Sequence, residues 1–345
     1  MMQAMLLTAI ANLAENSTPL QLATDLPEPI PGPRDLVVQV NTCGICHTDL
    51  DEIEGRTPPA RLPMVLGHQI VGRVKAIGPE VRQFKTGDRV GIAWIHSACG
   101  TCQACRSGEE NLCARFEATG RDAPGGYAEQ TLVAEAFAHR IPEAFSDAEA
   151  APLLCAGAVG YRSLRLTGMA NGRTLGLVGF GASAHLVIQL VRYLYPEAKI
   201  FVFSRSAAEQ QFAKELGATW VGALEATPPE RIDCAIDTTP AWGPIVHTLG
   251  RLAPGGRLVI NAIRKEGGDK AALLQLDYAT HLWMEKELKS VANVSRQDVR
   301  DFLEVAVAIP IKPAIQEFRL EEANEALREI RERKIRGAKV LRIAP

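Results

Sequence analysis

The sequence of 345 residues lacks the features that would assign it to a membrane or to nucleic acid. No apolar run approaches the roughly 18 residues that a membrane-spanning helix needs. The first basic residue is Arg34, so the positively charged start of a secretory signal is missing. Lysine and arginine number 38 against 40 acidic residues, and this balance offers no basic surface to nucleic acid or to an anionic membrane. We therefore expect a cytoplasmic protein whose partners are small molecules.

Internal repeats and low-complexity segments are also missing, which excludes repeat arrays and disordered chains. Apolar residues make up 47% of the chain and charged residues 23%, values that are typical of a soluble globular enzyme. The length allows two domains, each with a hydrophobic core of its own.

Eight cysteines stand out against this ordinary composition. In a reducing compartment, clustered cysteines bind metal more often than they form disulfides. Four thiolates in a short segment with little apolar content, about residues 96–115, suit a closed structural zinc site. The alternative is a set of free surface thiols, which would be open to oxidation. The spacing of the four is C-x2-C-x2-C-x7-C: Cys99, Cys102, Cys105 and Cys113.

A second concentration of reactive side chains lies in the nine residues from Cys43 to Asp51, which read CGICHTDLD. Thiolate is a ligand that suits zinc, and a catalytic zinc takes three protein ligands and leaves one position open. The segment therefore predicts part of a catalytic zinc site, to be completed by ligands from elsewhere in the chain.

Hydrophobic patterning divides the chain into a β-rich part and an alternating part. Residues 1–90 read as short strands between turns with proline or glycine, which is typical of a partly closed antiparallel barrel or sandwich. Strands alternate with helices from about Pro152, and they predict a doubly wound parallel sheet of roughly six strands. The final strand, helix and strand either cap this sheet or, as we expect, return to the first domain. The predicted domains are thus 1–152 with 311–345, and a dinucleotide-binding domain at 153–310.

A glycine motif lies at the first turn of the alternating part. A buried strand ends in Gly179-Phe180-Gly181-Ala182-Ser183-Ala184, and an apolar helix and a second buried strand follow. In this context a G-x-G-x-x-A motif indicates dinucleotide binding. Gly179 permits the tight turn, and Gly181 lets the backbone approach a pyrophosphate at the helix start. The predicted cofactor contacts here are Gly179, Phe180, Gly181 and Ala182, with Ala262 at the end of a later strand.

Seven segments, in order along the chain, resemble the zinc-containing alcohol dehydrogenases of the medium-chain dehydrogenase/reductase superfamily: GICHTD at 44–49, GHQIVGRV at 67–74, GDRVGI at 87–92, the four-cysteine segment, GGYAE at 125–129, LLCAG at 153–157 and GFGASA at 179–184. The resemblance covers essentially the whole chain. It implies an α/β protein with a Rossmann-type sheet domain and a β-rich GroES-like catalytic domain that carries a small zinc lobe. It also implies two zinc ions per chain and reversible hydride transfer between an alcohol and NAD(P)+, giving an aldehyde or ketone.

The resemblance places the catalytic zinc on Cys46, His68 and Cys155. Two thiolates and a neutral imidazole balance the charge of Zn2+. Asp49 resembles the carboxylate that holds the zinc-bound histidine, although an aspartate at this position can also simply cap a turn.

Four more side chains resemble residues of the family's active site. Thr48 resembles the hydroxyl that accepts the proton of the alcohol, and Asp51 lies where many relatives have the histidine that passes this proton on. An aspartate titrates far lower than a histidine. His47 resembles the basic residue that meets the cofactor pyrophosphate, or else it faces solvent. Trp94 resembles a wall of the substrate pocket and suggests an apolar slot for a primary or aromatic alcohol, or else it packs in the core.

Three positions depart from the family pattern. Gln69 replaces the glutamate of the usual Gly-His-Glu, Val159 replaces a threonine near the nicotinamide carboxamide, and Ala338 replaces a frequent pyrophosphate-binding arginine. None of these changes removes a zinc ligand.

The choice of cofactor depends on the end of the second sheet strand. Ser204 stands 25 residues after Gly179, where NAD-specific relatives carry an acid that binds the ribose 2′-OH. A serine followed by Arg205 can instead bind a 2′-phosphate, so the sequence favours NADP(H) over NAD(H). The alternative is that Arg205 is only a solvated residue at a helix start.

Two other functions fit the sequence. A cinnamyl-type aldehyde reductase or a polyol dehydrogenase would share the fold, and polar pocket residues would favour the polyol. A zinc- and nicotinamide-binding redox sensor belongs to another class and would explain the departures at Asp51, Gln69 and Val159. The resemblance favours a homo-dimer or homo-tetramer that forms through the edge of the sheet domain and acts on a small-molecule alcohol or aldehyde.

Overall fold

The computed structural model describes residues 1–309, 311–334 and 336–344. The chain forms two compact units. The first comprises Met1–Cys155, Val294–Val307 and Lys312–Pro345, and the second comprises Ala156–Asn293 and Ala308–Ile311. The first unit thus includes residues 294–307, which the predicted limits assign to the dinucleotide-binding domain.

Strands dominate the first unit, and strands alternate with helices in the second. In chain order the strands are β1 Met2–Leu7, β2 Leu20–Leu26, β3 Asp35–Ile45, β4 Met64–Val65, β5 Gln69–Ile77, β6 Arg89–Ile92, β7 Ile95–Ser97, β8 Glu117–Ala118, β9 Gln130–Ala134, β10 Ala138–Arg140, β11 Thr174–Val178, β12 Lys199–Phe203, β13 Trp220–Gly222, β14 Ile232–Asp237, β15 Leu252–Ile260, β16 Glu287–Ser290, β17 Ile315–Arg319 and β18 Ala338–Arg342. The α-helices are α1 His47–Ile53, α2 Gln103–Arg106, α3 Asp147–Pro152, α4 Ala158–Thr167, α5 Ala184–Leu194, α6 Ala207–Glu215, α7 Gly243–Arg251, α8 Arg296–Ala308 and α9 Ala323–Arg331. Short 3-10 turns lie at Glu110–Leu112, Glu135–Phe137, Lys270–Gln275 and Leu320–Glu322, and π-helical turns at Leu153–Gly157 and Tyr278–Leu282.

A seven-stranded sheet forms the centre of the first unit, in the order β10-β6-β5-β3-β18-β17, with β9 also paired to β3. The long strand β3 pairs with β9 along its first half and with β18 along its second, where Ile45 lies opposite Lys339. Val38 of β3, Val133 of β9 and Val340 of β18 are fully buried, and each stabilises the fold by roughly 1.5–3 kcal/mol. The sheet thereby fixes the end of β3, which leads directly into Cys46.

The second unit contains a six-stranded parallel sheet in the order β13-β12-β11-β14-β15-β16. In chain order of its own strands this is 3-2-1-4-5-6, the arrangement of dinucleotide-binding sheets. All five residues of β11 are buried, as expected of a parallel strand covered on both faces. The predicted α/β fold class, with a doubly wound parallel sheet and a β-rich part, is confirmed.

The parallel strands β11, β12 and β14 end at the same edge of their sheet, so the residues that follow Val178, Phe203 and Asp237 lie near one another. This edge contains the glycine motif. Among the helices of residues 1–309, 311–334 and 336–344, none is both long enough and apolar enough to cross a bilayer.

Candidate active site

Cys46 links the end of β3 to the start of α1. Its backbone is extended, with φ −143° and ψ −178°, and the Thr48 N–H donates to its sulfur at 3.3 Å. Asp49 Oδ2 accepts a hydrogen bond from the Cys46 N–H at 2.7 Å, which completes a capping box. The helix start therefore fixes both the thiol of Cys46 and the carboxylate of Asp49.

His68 is brought to the same place by the glycine that precedes it. Gly67 has a φ of +94°, and a Cβ there would lie 2.4 Å from the ring of Tyr127, so this backbone requires glycine. His68 is fully buried, and its Nε2 lies 3.3 Å from Cys46 Sγ. Its other ring nitrogen, Nδ1, lies 3.5 Å from Asp49 Oδ1. The imidazole thus stands between a sulfur and a carboxylate.

Cys155 is the third member of the group and lies in the π-helical turn Leu153–Gly157, a kind of turn that is frequent at functional sites. Cys46 Sγ, His68 Nε2 or Nδ1 and Cys155 Sγ offer ligand atoms that all lie within 4.8 Å of one another. This spread suits a single ion with bonds of about 2.3 Å to sulfur and about 2.0–2.1 Å to nitrogen. The three residues named by sequence are therefore brought together as a candidate zinc site.

The electrostatics of the group also suit a cation. The hydrogen bond with Cys155 and the charge of His68 lower the pKa of Cys46 against the opposing effect of burial. Burial alone would lower the pKa of His68, but Cys46 and Asp49 outweigh it and raise that pKa well above its ordinary value. A positive charge among these groups is stabilised from both sides, and a zinc ion would supply it.

A second metal-ligand cluster lies in the segment from Cys99 to Cys113. Backbone N–H groups of Cys102 and Arg115 donate to the sulfurs of Cys99 and Cys113 at 3.4 and 3.3 Å. Hydrogen bonds from the backbone N–H groups of Thr101 and Cys102 and from the Thr101 hydroxyl lower the pKa of Cys99 to about 5. The sulfurs, all within 4.8 Å of one another, are those of Cys99, Cys102, Cys105 and Cys113. Four converging thiols fit a closed structural zinc site.

The predicted relay residues lie along α1 but differ in their surroundings. Thr48 is half-buried at the second position of the helix and His47 is exposed at the first. Asp51 is buried, and its carboxylate accepts a hydrogen bond from Arg56 Nε at 2.6 Å. Arg56 therefore competes for the carboxylate to which the proton relay was assigned. The relay roles of these residues stay predictions.

Trp94 is only 5% exposed and packs in the core of the first unit. Its ring centroid lies 5.1 Å from that of Phe116, and the Arg121 guanidinium lies 5.4 Å above it. Its indole nitrogen is buried and has no hydrogen-bond partner in the part of the chain that the structure describes. The environment agrees with core packing, and a role for Trp94 as a pocket wall stays a prediction.

Sequence reasoning missed Glu52, one helical turn after Asp49. It is fully buried, and neither carboxyl oxygen has a hydrogen-bond partner among the described residues. Burial, followed by the charge of Asp49, raises the pKa of Glu52 well above its ordinary value. The spacing of three residues on a helix could have indicated this shared face. Burial thus favours the protonated form of Glu52, an acid on the same helix as Asp49.

The glycine motif has the geometry of a dinucleotide-binding turn. Gly179 has a φ of +82°, and a Cβ there would lie 2.6 Å from Thr238 Oγ1. A Cβ at Gly181 would meet nothing within 4 Å, so open space lies where a pyrophosphate would approach the start of α5. The Phe180 side chain is 3% exposed and packs edge-on against Phe212, so only its backbone faces this space. These residues fit a dinucleotide.

Other predicted cofactor contacts have varied surroundings. Ala262 follows β15, and Val159 is in the first turn of α4. Ala182 and Val159 are half-buried. Their contacts with a cofactor stay predictions.

The end of β12 has a carboxylate that sequence reasoning missed. The Ser204 hydroxyl donates to a carboxylate oxygen of Glu209, and Ser204 Oγ accepts from the Ser206 N–H at 3.1 Å. Arg205, the residue predicted to bind a 2′-phosphate, is exposed. The pattern Ser206-x-x-Glu209 was visible in the sequence, but it indicates a capping box rather than a contact with Ser204.

Comparison with known proteins agrees with this geometry. A family model described as the alcohol dehydrogenase GroES-like domain matches residues 32–143. The probable alcohol dehydrogenase AdhA of Mycobacterium tuberculosis (strain CDC 1551 / Oshkosh) is 41% identical over 320 residues, which cover 91% of this chain and 90% of that protein.

Solved structures show the same similarity over almost the whole chain. An NAD-dependent alcohol dehydrogenase is 27% identical with a TM-score of 0.86, covering 99% of this chain and 100% of the other. A cinnamyl alcohol dehydrogenase from Sorghum bicolor is 25% identical with a TM-score of 0.83, covering 99% and 97%. The chain therefore belongs to the zinc-containing, medium-chain alcohol dehydrogenase family and is an NAD(P)-dependent oxidoreductase.

Proposed function

We propose that the protein transfers hydride reversibly between a primary or aromatic alcohol and a nicotinamide cofactor, with Cys46, His68 and Cys155 as the ligands of a catalytic zinc. The observation that carries this proposal is the convergence of their ligand atoms within 4.8 Å. Three ligands from separate parts of the sequence meet at one point, and a fourth position remains for substrate.

The chemistry divides between the bound groups and the chain. A zinc ion held by Cys46, His68 and Cys155 would lower the pKa of the alcohol hydroxyl, and a nicotinamide cofactor bound at the glycine motif would supply the hydride acceptor. Thr48, two residues after the ligand Cys46, accepts the proton of the alcohol. Asp49 orients the His68 ring from the side of Nδ1, the ring nitrogen that lies nearest its carboxylate. Asp51 is held in an ion pair with Arg56, so we place the end of the relay on a paired carboxylate.

We also propose that the protein is a homo-dimer joined through β16, the terminal strand of the described six-stranded sheet. All four residues of β16 are exposed. Five large apolar residues lie in β16 or shortly before it in the sequence, and each is at least 41% exposed: Tyr278, Leu282, Trp283, Met284 and Leu288. An open strand edge beside exposed apolar residues is the surface that a second copy would cover.

The proposed function is tested by assaying a panel of alcohols and aldehydes with both cofactors and by measuring zinc per chain. We expect two zinc ions per chain, turnover of aliphatic or aromatic substrates, and loss of turnover and of one zinc in Cys46→Ser. Cys43→Ala is the matched control, since Cys43 is a fully buried thiol three residues away that lies outside both clusters. An active Cys46→Ser variant with two zinc ions would overturn the ligand assignment. One tightly bound zinc without turnover of any substrate would favour the redox sensor instead.

A further inference from the structure

Glu209 lies at the edge of the sheet where a nucleotide would bind, and its carboxylate is held there by a chain of hydrogen bonds. β12 ends at Phe203, and the next residue, Ser204, is 7% exposed. The Ser206 N–H donates to Ser204 Oγ, and the Ser204 hydroxyl in turn donates to Glu209. A carboxylate is therefore fixed beside the end of the second strand of the sheet.

The Glu209 carboxylate does not make the capping-box contact that its position three residues after Ser206 predicts. In a capping box, the N-cap serine and the glutamate three residues later each bond to the backbone N–H of the other. Here the Glu209 N–H donates to Ser206 Oγ at 3.3 Å, but the Ser206 N–H is taken by Ser204 Oγ. The carboxylate is consequently directed toward the strand end and not toward the helix terminus.

In doubly wound dinucleotide-binding sheets, an acid about 20 residues after the glycine motif hydrogen-bonds the ribose 2′-OH. In this chain Ser204 stands at that place, and the nearest acid comes from the first turn of α6. On the basis of the proposed function, we infer that Glu209 supplies the carboxylate that hydrogen-bonds the ribose 2′-OH. The protein therefore prefers NADH to NADPH. This reverses the preference predicted from Ser204 and Arg205.

The chemistry of a 2′-phosphate supports the same direction. A serine hydroxyl has one proton, and Ser204 gives it to Glu209, which leaves no donor for phosphate oxygens. A phosphate beside Glu209 would also face a fixed like charge. Arg205 attracts phosphate, but it is exposed and its field is screened by solvent and salt, whereas Glu209 is half-buried and hydrogen-bonded.

The test is equilibrium binding of NADH and of NADPH to the full-length zinc-loaded protein, measured by calorimetry. The unaltered protein is expected to bind NADH at least about tenfold more tightly than NADPH. Glu209→Gln keeps an acceptor for Ser204 but removes the charge, and it is expected to shift the ratio of the two dissociation constants toward NADPH by about tenfold or more. Glu215→Gln is the matched control, because it removes the same charge from an exposed position at the end of the same helix.

A preference of the unaltered protein for NADPH, or a ratio unchanged in Glu209→Gln, would overturn the inference while leaving the proposed function intact. An equal shift in Glu215→Gln would also overturn it, because the effect would then come from net charge. Failure of the unaltered protein to bind either dinucleotide would overturn the inference together with the proposed function.

Discussion

Asp49 Oδ1 lies 3.5 Å from His68 Nδ1, and both side chains are fully buried. The distance is longer than a good hydrogen bond, and neither atom has another hydrogen-bond partner among the described residues. Burial raises the pKa of the Asp49 carboxyl, whereas the charge of His68 opposes that rise. The pair fixes the ring so that its other nitrogen faces Cys46 and Cys155. The position of Asp49 thus depends on the helix cap, and the position of His68 depends on Asp49.

Asp49→Asn is expected to weaken zinc binding at the catalytic site by about 10- to 100-fold, because the histidine loses its charged partner. Zinc retained in competition with a chelator measures this effect. Glu52→Gln is the matched control on the same helix, since it replaces another fully buried acid by an amide of similar shape. Equal losses of zinc in the two variants would show that any change on this helix disturbs the site.

Cys102→Ser is expected to remove one zinc of two and to lower the melting temperature by several degrees while leaving turnover measurable below that temperature. The four-cysteine segment has little apolar side chain to bury, and Leu112 within it is 54% exposed, so its order depends on metal. Metal analysis, thermal unfolding and an assay at low temperature check this. Loss of turnover equal to that of Cys46→Ser with an unchanged melting temperature would contradict a structural role.

His139→Leu is expected to flatten the loss of stability on acidification. Burial, followed by the charges of Arg300 and Arg296, lowers the pKa of His139 to about 3, although Glu110 opposes the shift. Because the unfolded chain takes up this proton near pH 6.5, the folded state loses roughly 1.4 kcal/mol per pH unit from pH 6.5 down toward pH 3.

This loss of stability is measured as the free energy of unfolding in urea at pH 7, 6 and 5. His247→Gln is the matched control at an exposed histidine. The same slope in His139→Leu as in the unaltered protein would show that other groups govern the acid limb, including the metal ligands.

Leu288→Lys is expected to convert the proposed dimer into a monomer, because a lysine on an open strand edge opposes pairing with a second copy. Light scattering during size-exclusion chromatography measures the mass. Leu22→Lys is a matched control, since Leu22 lies on the terminal strand of the three-stranded sheet and is 44% exposed against 46% for Leu288. A protein whose mass is unchanged by Leu288→Lys does not assemble through β16.

The elements best predicted from sequence are buried parallel strands. The sequence predicts two of them at residues 199–203 and 232–237, and β12 and β14 have these bounds, because such strands are continuous apolar runs between polar turns. The sequence pattern over residues 89–95 predicts one strand, but the structure has two, β6 and β7, since Ala93 and Trp94 leave the ladder. The charged segment 321–333 predicts one helix, which in the structure begins with the 3-10 turn Leu320–Glu322 and has its α-helical end at Arg331.

What the sequence did not predict depends on contacts between side chains that local patterns do not contain. No sequence pattern marks the turn around Cys155 as π-helical, because this form depends on how the chain packs around it. Glu52 reads as a charged surface residue, and its burial follows only from the placement of α1. The sulfurs of Cys46 and Cys155 and the ring of His68 were named by family resemblance, because no spacing joins positions so far apart.

The pairing of Ile45 with Lys339 joins residues that are 294 positions apart. At a synthesis rate of roughly 5–20 residues per second, Lys339 is added about 15–60 seconds after Ile45. Throughout that interval one side of the strand leading into Cys46 has open backbone groups. The strand that positions Cys46 therefore gains its last neighbour only after residue 339 has been made, so the end of β3 is completed late in synthesis.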